Sequence, residues 1–204
     1  MSQISLDPVD QKILERAVHL GLQHAAEGLS GMIGRPVRLE ASRILVLPFA
    51  GVRSALPPNE DVMLGVSLTL NGEWSAQVML LFEPHMANDL VDLLLGQTLG
   101  TTTTLDDLAR SALAEVGNVM GAFFAGTIAD LAGTLFVPST PELSEGSITT
   151  LLENRLADIA SRFDSVLLIE TRIAEDQGGV RGYFIVLPDP MELQRLIAVL
   201  RSRE

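Results

Sequence analysis

Residues 105–141 read LDDLARSALAEVGNVMGAFFAGTIADLAGTLFVPSTP. The spacing predicts a long helix, about Asp106 to Ala132, followed by a strand that ends near Pro141. Ser111, Glu115 and Asn118 stand at i, i+4 and i+7, so at about 100° per residue they share one narrow stripe. The opposite face reads as continuously apolar through Leu105, Leu108, Ala112, Val116, Met120, Phe123, Ile128 and Leu131, as in a helix lying on a core. The polar stripe is therefore expected to look outward. Around it Ala114, Gly121, Ala122 and Ala125 are expected to keep the surface low enough for another macromolecule to press against. Gly117 and Gly121 each cost roughly 1 kcal/mol inside a helix relative to alanine, and close approach by another body is the expected reason for them.

Upstream, Asp7-Pro8 opens a helical pattern as N-cap and first helical residue, running through Ile13, Leu14, Ala17, Val18, Leu22, Ala25, Leu29 and Ile33 until Gly34 and Pro36 stop it. Extended segments follow at Val37 to Pro48 and Asp61 to Leu70, separated by a loop from Phe49 to Glu60. Asn71-Gly72 is the strongest hairpin signal in the chain and predicts a turn from Val62–Leu70 onto Trp74–Phe82, with Trp74 as a cross-strand packing residue. Pro84 then starts a shorter helix that Gly96 ends.

Downstream the order recurs. After the strand at Thr134 to Val137 come a helical insertion at Ser147 to Ser161, a strand at Ser165 to Ala174, a turn at Asp176 to Gly179, a strand at Arg181 to Leu187 and a helix at Pro190 to Leu200. LFEPHMANDLVDLLL (81–95) and VLPDPMELQRLIAVL (186–200) hold the same place in each half, as strand, proline, helix. A spacing near 100 residues is too long for a solenoid of short units and suits a fused pseudo-dimer. The chain therefore reads as an α+β protein, a single domain over 1–204 made of two repeats, 7–97 and 105–201. The expected architecture is pseudo-two-fold, with a mainly antiparallel sheet and two long helices exposed on one side of it.

Composition narrows the function. A net charge of −12 with 14 basic residues argues against nucleic acid, whose binding depends on neutralising phosphates, and against an anionic membrane surface. The apolar runs stop short of the 18 or so residues a membrane span needs, and the N-terminal residues MSQISLDPVDQK hold no apolar leader, so a cytoplasmic protein is expected. The absence of cysteine removes disulfides, thiolate catalysis and cysteine zinc sites, and fits a reducing compartment. His19 and His24 are five apart, the wrong phase for a shared helical metal site, and with His85 they read as surface or edge histidines; no metal site is expected.

Ser111, Glu115, Asn118 and Pro141 resemble, with every interval kept, the pattern of the CheC-type chemotaxis phosphatases (CheC, CheX, FliY): Asp or Ser, three residues, Glu, two residues, Asn, twenty-two residues, Pro. The likeness extends through EVGNVMGAFFAGTIADLAG and across the duplicated architecture from about residue 8 to residue 200. It implies an enzyme that hydrolyses the aspartyl phosphate of a CheY-like response regulator. An asparagine cannot act as base or nucleophile at neutral pH, so Asn118 would orient the attacking water, the positioning role that phosphoryl transfer rewards. Glu115 would dock the receiver's active-site lysine, Ser111 would bind the partner or tolerate its backbone, and Pro141 would shape the groove. No cofactor of its own is implied; Mg²⁺ is expected on the phosphorylated receiver.

An offset of 99 residues places Lys12, Arg16, His19 and Ser42 opposite Ser111, Glu115, Asn118 and Pro141. None of the four is retained, so the first repeat should carry a degenerate second site. Glu15 lies one position off, about 100° round the helix, and is a poor substitute. The alternative reading is a non-catalytic interaction module of the same fold, binding a response regulator or a CheD-type receptor deamidase. The family resemblance puts that deamidase roughly on the insertion SITTLLENRLADIAS (147–161), whose Ile148, Leu151, Leu152, Leu156 and Ile159 equally suit packing on the sheet. With no separate regulator-binding peptide or second switch domain read in 204 residues, a FliY-like switch role is the weaker expectation, and an internal pseudo-dimer favours a monomer.

Overall fold

The computed structural model describes residues 6–48, 51–56, 62–72, 75–156, 165–175, 178–188 and 190–202. Helix α1, Pro8–Ile33, is built as its sequence dictates: Asp7 accepts hydrogen bonds from the N–H groups of Val9 and Asp10, Pro8 sits at the first helical position, and Gly34 closes the end at φ 76°. The helix of the second half repeats this. Helix α4, Asp107–Ala132, is also 26 residues long, with Asp106 as N-cap and Gly133 at φ 71° as C-cap, so caps and ends recur at the 99-residue offset.

Between them lie β1 (Arg38–Pro48), α2 (Val52–Ala55), β2 (Met63–Gly72), β3 (Ala76–Phe82) and α3 (Pro84–Leu94). After α4 come β4 (Phe136–Pro138), β5 (Glu142–Gly146), α5 (Ile148–Leu156), β6 (Ser165–Glu175), β7 (Gly178–Pro188) and α6 (Pro190–Arg201). Each half thus runs helix, edge strand, short helix, hairpin, helix. The strands form one seven-stranded sheet in the order β1-β6-β7-β3-β2-β4, with β5 also on β2, and every pairing is antiparallel. Exchanging the halves reverses that order onto itself, which is the pseudo-two-fold. The first strand of each half pairs only with the hairpin of the other: β1 with β6, and β4 and β5 with β2.

Strands buried on both faces divide the core in two. On one face α1, α3, α4 and α6 cover Val66, Leu68, Leu80, Phe82, Ile169 and Phe184. On the other, Val52 and Leu56 at α2 and Ile148, Leu151 and Leu152 of α5 cover Met63, Met79, Leu81, Leu168 and Ile185. The insertion is therefore helical as its pattern predicts, and its described apolar side chains pack on the sheet; the side chains of Leu156 and Ile159 lie outside the described residues. Helix α4 is long and apolar enough to cross a membrane, but half of its most apolar stretch is buried within the fold, as in a core helix.

Three local expectations are corrected. The expected hairpin forms, with Leu64–Leu70 paired to Ala76–Phe82, but Asn71 and Gly72 are extended at the end of β2 and pair with Val137 and Phe136; Trp74 lies outside the described residues. Glycine is needed at 72 because a side chain there would run into the Leu135 carbonyl, just before β4. Strand β5 and the short α2 were not foreseen, since ELSEG has no apolar alternation and VRSA is one turn inside an apparent loop. The strand expected to end near Pro141 instead breaks there and resumes, for a reason that belongs to the site.

Candidate functional site

Helix α4 lies on β2, with its first turn tied to the sheet edge by Arg110, 3.7 Å from Glu145 of β5. The contact is made by glycines. A Cβ at Gly117 would overlap the Val66 side chain, and one at Gly121 would lie 2.8 Å from a Leu68 methyl. Gly117, Gly121 and Ala125 are buried, so the close approach they permit is to the protein's own sheet rather than to a partner, which corrects the expectation for them. Ala114 and Ala122 are half-buried at the margins of the outward face.

With that side buried, Ser111 and Glu115 are exposed and Asn118 is half-buried on the outward face of α4. Along the axis they span roughly 10 Å, at 1.5 Å per residue. Among the described residues no side chain hydrogen-bonds or pairs with any of the three. Two residues assigned to the apolar face share this surface instead: Leu108 is 62% exposed and Phe123 45%. Their phase gives the reason, since Leu108 precedes Glu115 by seven residues and Phe123 follows it by eight, about 20° and 80° round the helix.

Pro141 sits half-buried in the break between β4 and β5. Against β2, Pro138 pairs with Leu70 and Glu142 with Ser67, so the outer strand carries one residue more than its partner across this interval. That is a β-bulge, where a residue without an N–H is tolerated because the ladder is already interrupted. Ser139 pins it, donating its N–H to the Thr69 carbonyl (2.8 Å) while its hydroxyl accepts from the Thr69 N–H (3.0 Å). The same bulge recurs in the other half: β1 shifts register between Ala41 and Arg43, leaving Ser42 as the extra residue. Ser42 is the counterpart of Pro141 at the 99-residue offset, so the bulge is kept where the proline is not.

On α1 the counterpart stripe, Lys12, Arg16 and His19, is exposed. Glu15 is partly buried and accepts from Gln11 Nε2 at 3.0 Å, while its carbonyl lies 2.7 Å from His19 Nδ1. Arg16, His19 and Leu20 border an open groove of about 510 Å³ that runs to Leu131 of α4 and Leu200 of α6. The two long helices meet at a seam where the Phe123 ring covers Gly28 and His24 Nδ1 lies 2.8 Å from Thr127 Oγ1. Because the Thr127 hydroxyl donates to the Phe123 carbonyl (2.9 Å), the hydrogen on Nδ1 is the donor to Thr127. Among the described residues no group of three or more histidines and carboxylates is placed to hold a metal ion.

No protein-family model matches the chain. It is 20% identical over 192 residues, 92% of each chain, to the CheY-P phosphatase CheC of Bacillus subtilis. Among solved structures, Thermotoga maritima FliY superposes with a TM-score of 0.81 at 16% identity, over 98% of this chain and 100% of that one. The Helicobacter pylori FliM of a FliG–FliM complex gives 0.68 at 11% identity, over 95% and 100%. CheX from the Borrelia burgdorferi CheX–CheY–BeF₃–Mg²⁺ complex gives 0.55 at 15% identity, over 84% and 97%. Along nearly its whole length the chain is similar in sequence to a CheC phosphatase, and it shares the fold of FliY and CheX.

Proposed function

We propose that the chain is a cytoplasmic phosphatase acting on the aspartyl phosphate of a CheY-like response regulator in chemotaxis signalling. The observation that carries the reading is the outward stripe of α4, where Ser111, Glu115 and Asn118 stand at the family's spacing with no partner among the described residues. The CheC similarity supports it, as does the presence of a CheY-type partner in the CheX complex of the same fold. In this reading the Asn118 carboxamide accepts a hydrogen bond from water and donates one to an oxygen, holding the water in line with the phosphorus. Glu115 pairs with the receiver's lysine and sets the register of docking, Ser111 contacts the partner beside it, and the bulge at Pro141 fixes the sheet edge against the helix. The Mg²⁺ belongs to the receiver. A hundredfold acceleration requires only about 2.7 kcal/mol, within reach of one placed amide acting on a labile acyl phosphate.

There is one productive site, and the cations at Lys12 and Arg16 repel a surface that presents lysine. The test is the decay of a phosphorylated CheY-like receiver with Mg²⁺, alone and with each variant. Acceleration by wild type is expected to fall by at least tenfold in Asn118→Ala and to persist in the triple variant Lys12/Arg16/His19→Ala; Asn118→Ala matching wild type would refute the assignment.

The second reading is a non-catalytic module that binds a response regulator or a CheD-type deamidase, supported by the likeness to a FliM found in a FliG–FliM complex. A deamidase surface on α5 would have to use residues other than Ile148, Leu151 and Leu152, which are occupied by the sheet. Binding of the receiver with no effect on its decay would favour this reading.

A further inference from the structure

The polar stripe of α4 is too small to hold a partner by itself. A specific protein interface removes on the order of 800 Å² from each partner and is held by a few buried apolar or aromatic anchors, with charged pairs fixing register more than affinity. This chain carries a net charge of −12, so a partner that is itself acidic gains no long-range attraction. The attraction must come from apolar area close to the stripe. Such area is present: Leu108 and Phe123 are exposed on the outward side of α4, Leu108 about 20° round from Glu115 and Phe123 about 80° round, at the border with α1, one before Ser111 and the other beyond Asn118, about 22 Å apart along the axis at 1.5 Å per residue. Leu108 belongs to neither core cluster, and Phe123 has one ring edge seated over Gly28 of α1 while 45% of the residue stays exposed.

We infer that Leu108 and Phe123 are the apolar anchors of the receiver-docking surface, gripping the partner on either side of the lysine that Glu115 meets. The inference rests on the phosphatase reading for the identity of its partner. The partner surface that matches is one with an apolar contact on each side of a central lysine. Neither residue takes part in the chemistry; they set how long the receiver stays and which receiver is accepted.

The experiment pairs two measurements on the full chain: steady-state decay of the phosphorylated receiver with Mg²⁺, and titration of the same receiver held with beryllofluoride and Mg²⁺. Leu108→Ser and Phe123→Ser are each expected to raise KM about tenfold and to weaken the titration about tenfold, with kcat unchanged. Asn118→Ala is expected to do the reverse, lowering kcat with the titration unchanged. Phe123→Ser could loosen the helix seam, so Leu108→Ser, on a side chain outside the core, is the deciding variant provided its melting temperature matches wild type. Unchanged KM and unchanged binding in Leu108→Ser would overturn the inference while leaving the phosphatase reading intact. Receiver binding that needs Leu108 without any acceleration of decay would overturn the phosphatase reading and sustain the surface. If wild type sediments as a dimer that Leu108→Ser dissociates, the patch belongs to a second copy and the inference fails.

Discussion

Glycine at 117 shows how one missing side chain can be misassigned by sequence. Its cost in a helix demands a reason, and the reason is Val66, a β-branched residue whose strand is paired on both sides and cannot yield. Gly117→Ala gains roughly 1 kcal/mol of helix propensity but meets an overpacking cost of about 2–3 kcal/mol, so a net loss of about 1–2 kcal/mol is expected in urea denaturation. Gly126, on the same helix with open space where its Cβ would be, is the control. Gly126→Ala should stabilise, by up to about 1 kcal/mol. Asp92 is a second residue whose role only the folded chain reveals. It is fully buried in α3, and its carboxylate accepts from the N–H groups of Thr101 (2.8 Å) and Thr102 (2.9 Å), fixing the linker that leads into α4. Asp92→Ala leaves both donors without this acceptor and should cost about 1–3 kcal/mol, with hydrogen exchange at Thr101 and Thr102 rising first.

At the scale of elements, the caps decide where each long helix begins and therefore which residues of it face outward. Asp7 caps α1 and also meets Arg201 of α6, whose Nη2 lies 2.9 Å from Asp7 Oδ2 and 2.9 Å from Asp10 Oδ1. The Asp10 backbone N–H, and after it the Arg201 side chain, hold the Asp7 carboxyl below its usual value of 3.8. A carboxylate lowered on folding stabilises the native state above its unfolded value, and that contribution is lost as pH falls through the folded one. Arg201→Ala should therefore lower the melting temperature slightly at pH 7, and the difference from wild type should shrink as pH is taken below about 4. A pH-independent difference would mean that α6 docks by packing alone. The bulges obey a different logic. Ser42 and Pro141 occupy the same irregularity in two edge strands, so the bulge is a property of the sheet and the proline an accommodation to it.

At the scale of the molecule, the decisive feature is the exchange of first strands. Because β1 pairs with β6, and β4 and β5 with β2, neither half contains a closed set of its own pairings. Each half alone would expose an unpaired hairpin edge and the apolar face of its long helix. Residues 1–104 and 105–204 expressed separately are expected to be unfolded or aggregated by circular dichroism and sedimentation, and to regain cooperative unfolding when co-expressed. Two independently folded halves would contradict the exchanged pairing.

The sequence by itself determined the periodic and local features: the two long helices with their caps, the recurrence of elements, and the stripe of Ser111, Glu115 and Asn118. These follow from spacing along one element, where about 100° per residue suffices to say which side chains share a face. The phase of Leu108 and Phe123 was legible by the same arithmetic, although their apolar character pointed inward. Tertiary structure alone decided what lies opposite each face. That Gly117 and Gly121 serve β2, that Gly72 is extended beneath a neighbouring carbonyl, and that ELSEG is a strand depend on residues brought from elsewhere in the chain. Close packing and edge pairing are relations between elements, and no single stretch encodes both partners.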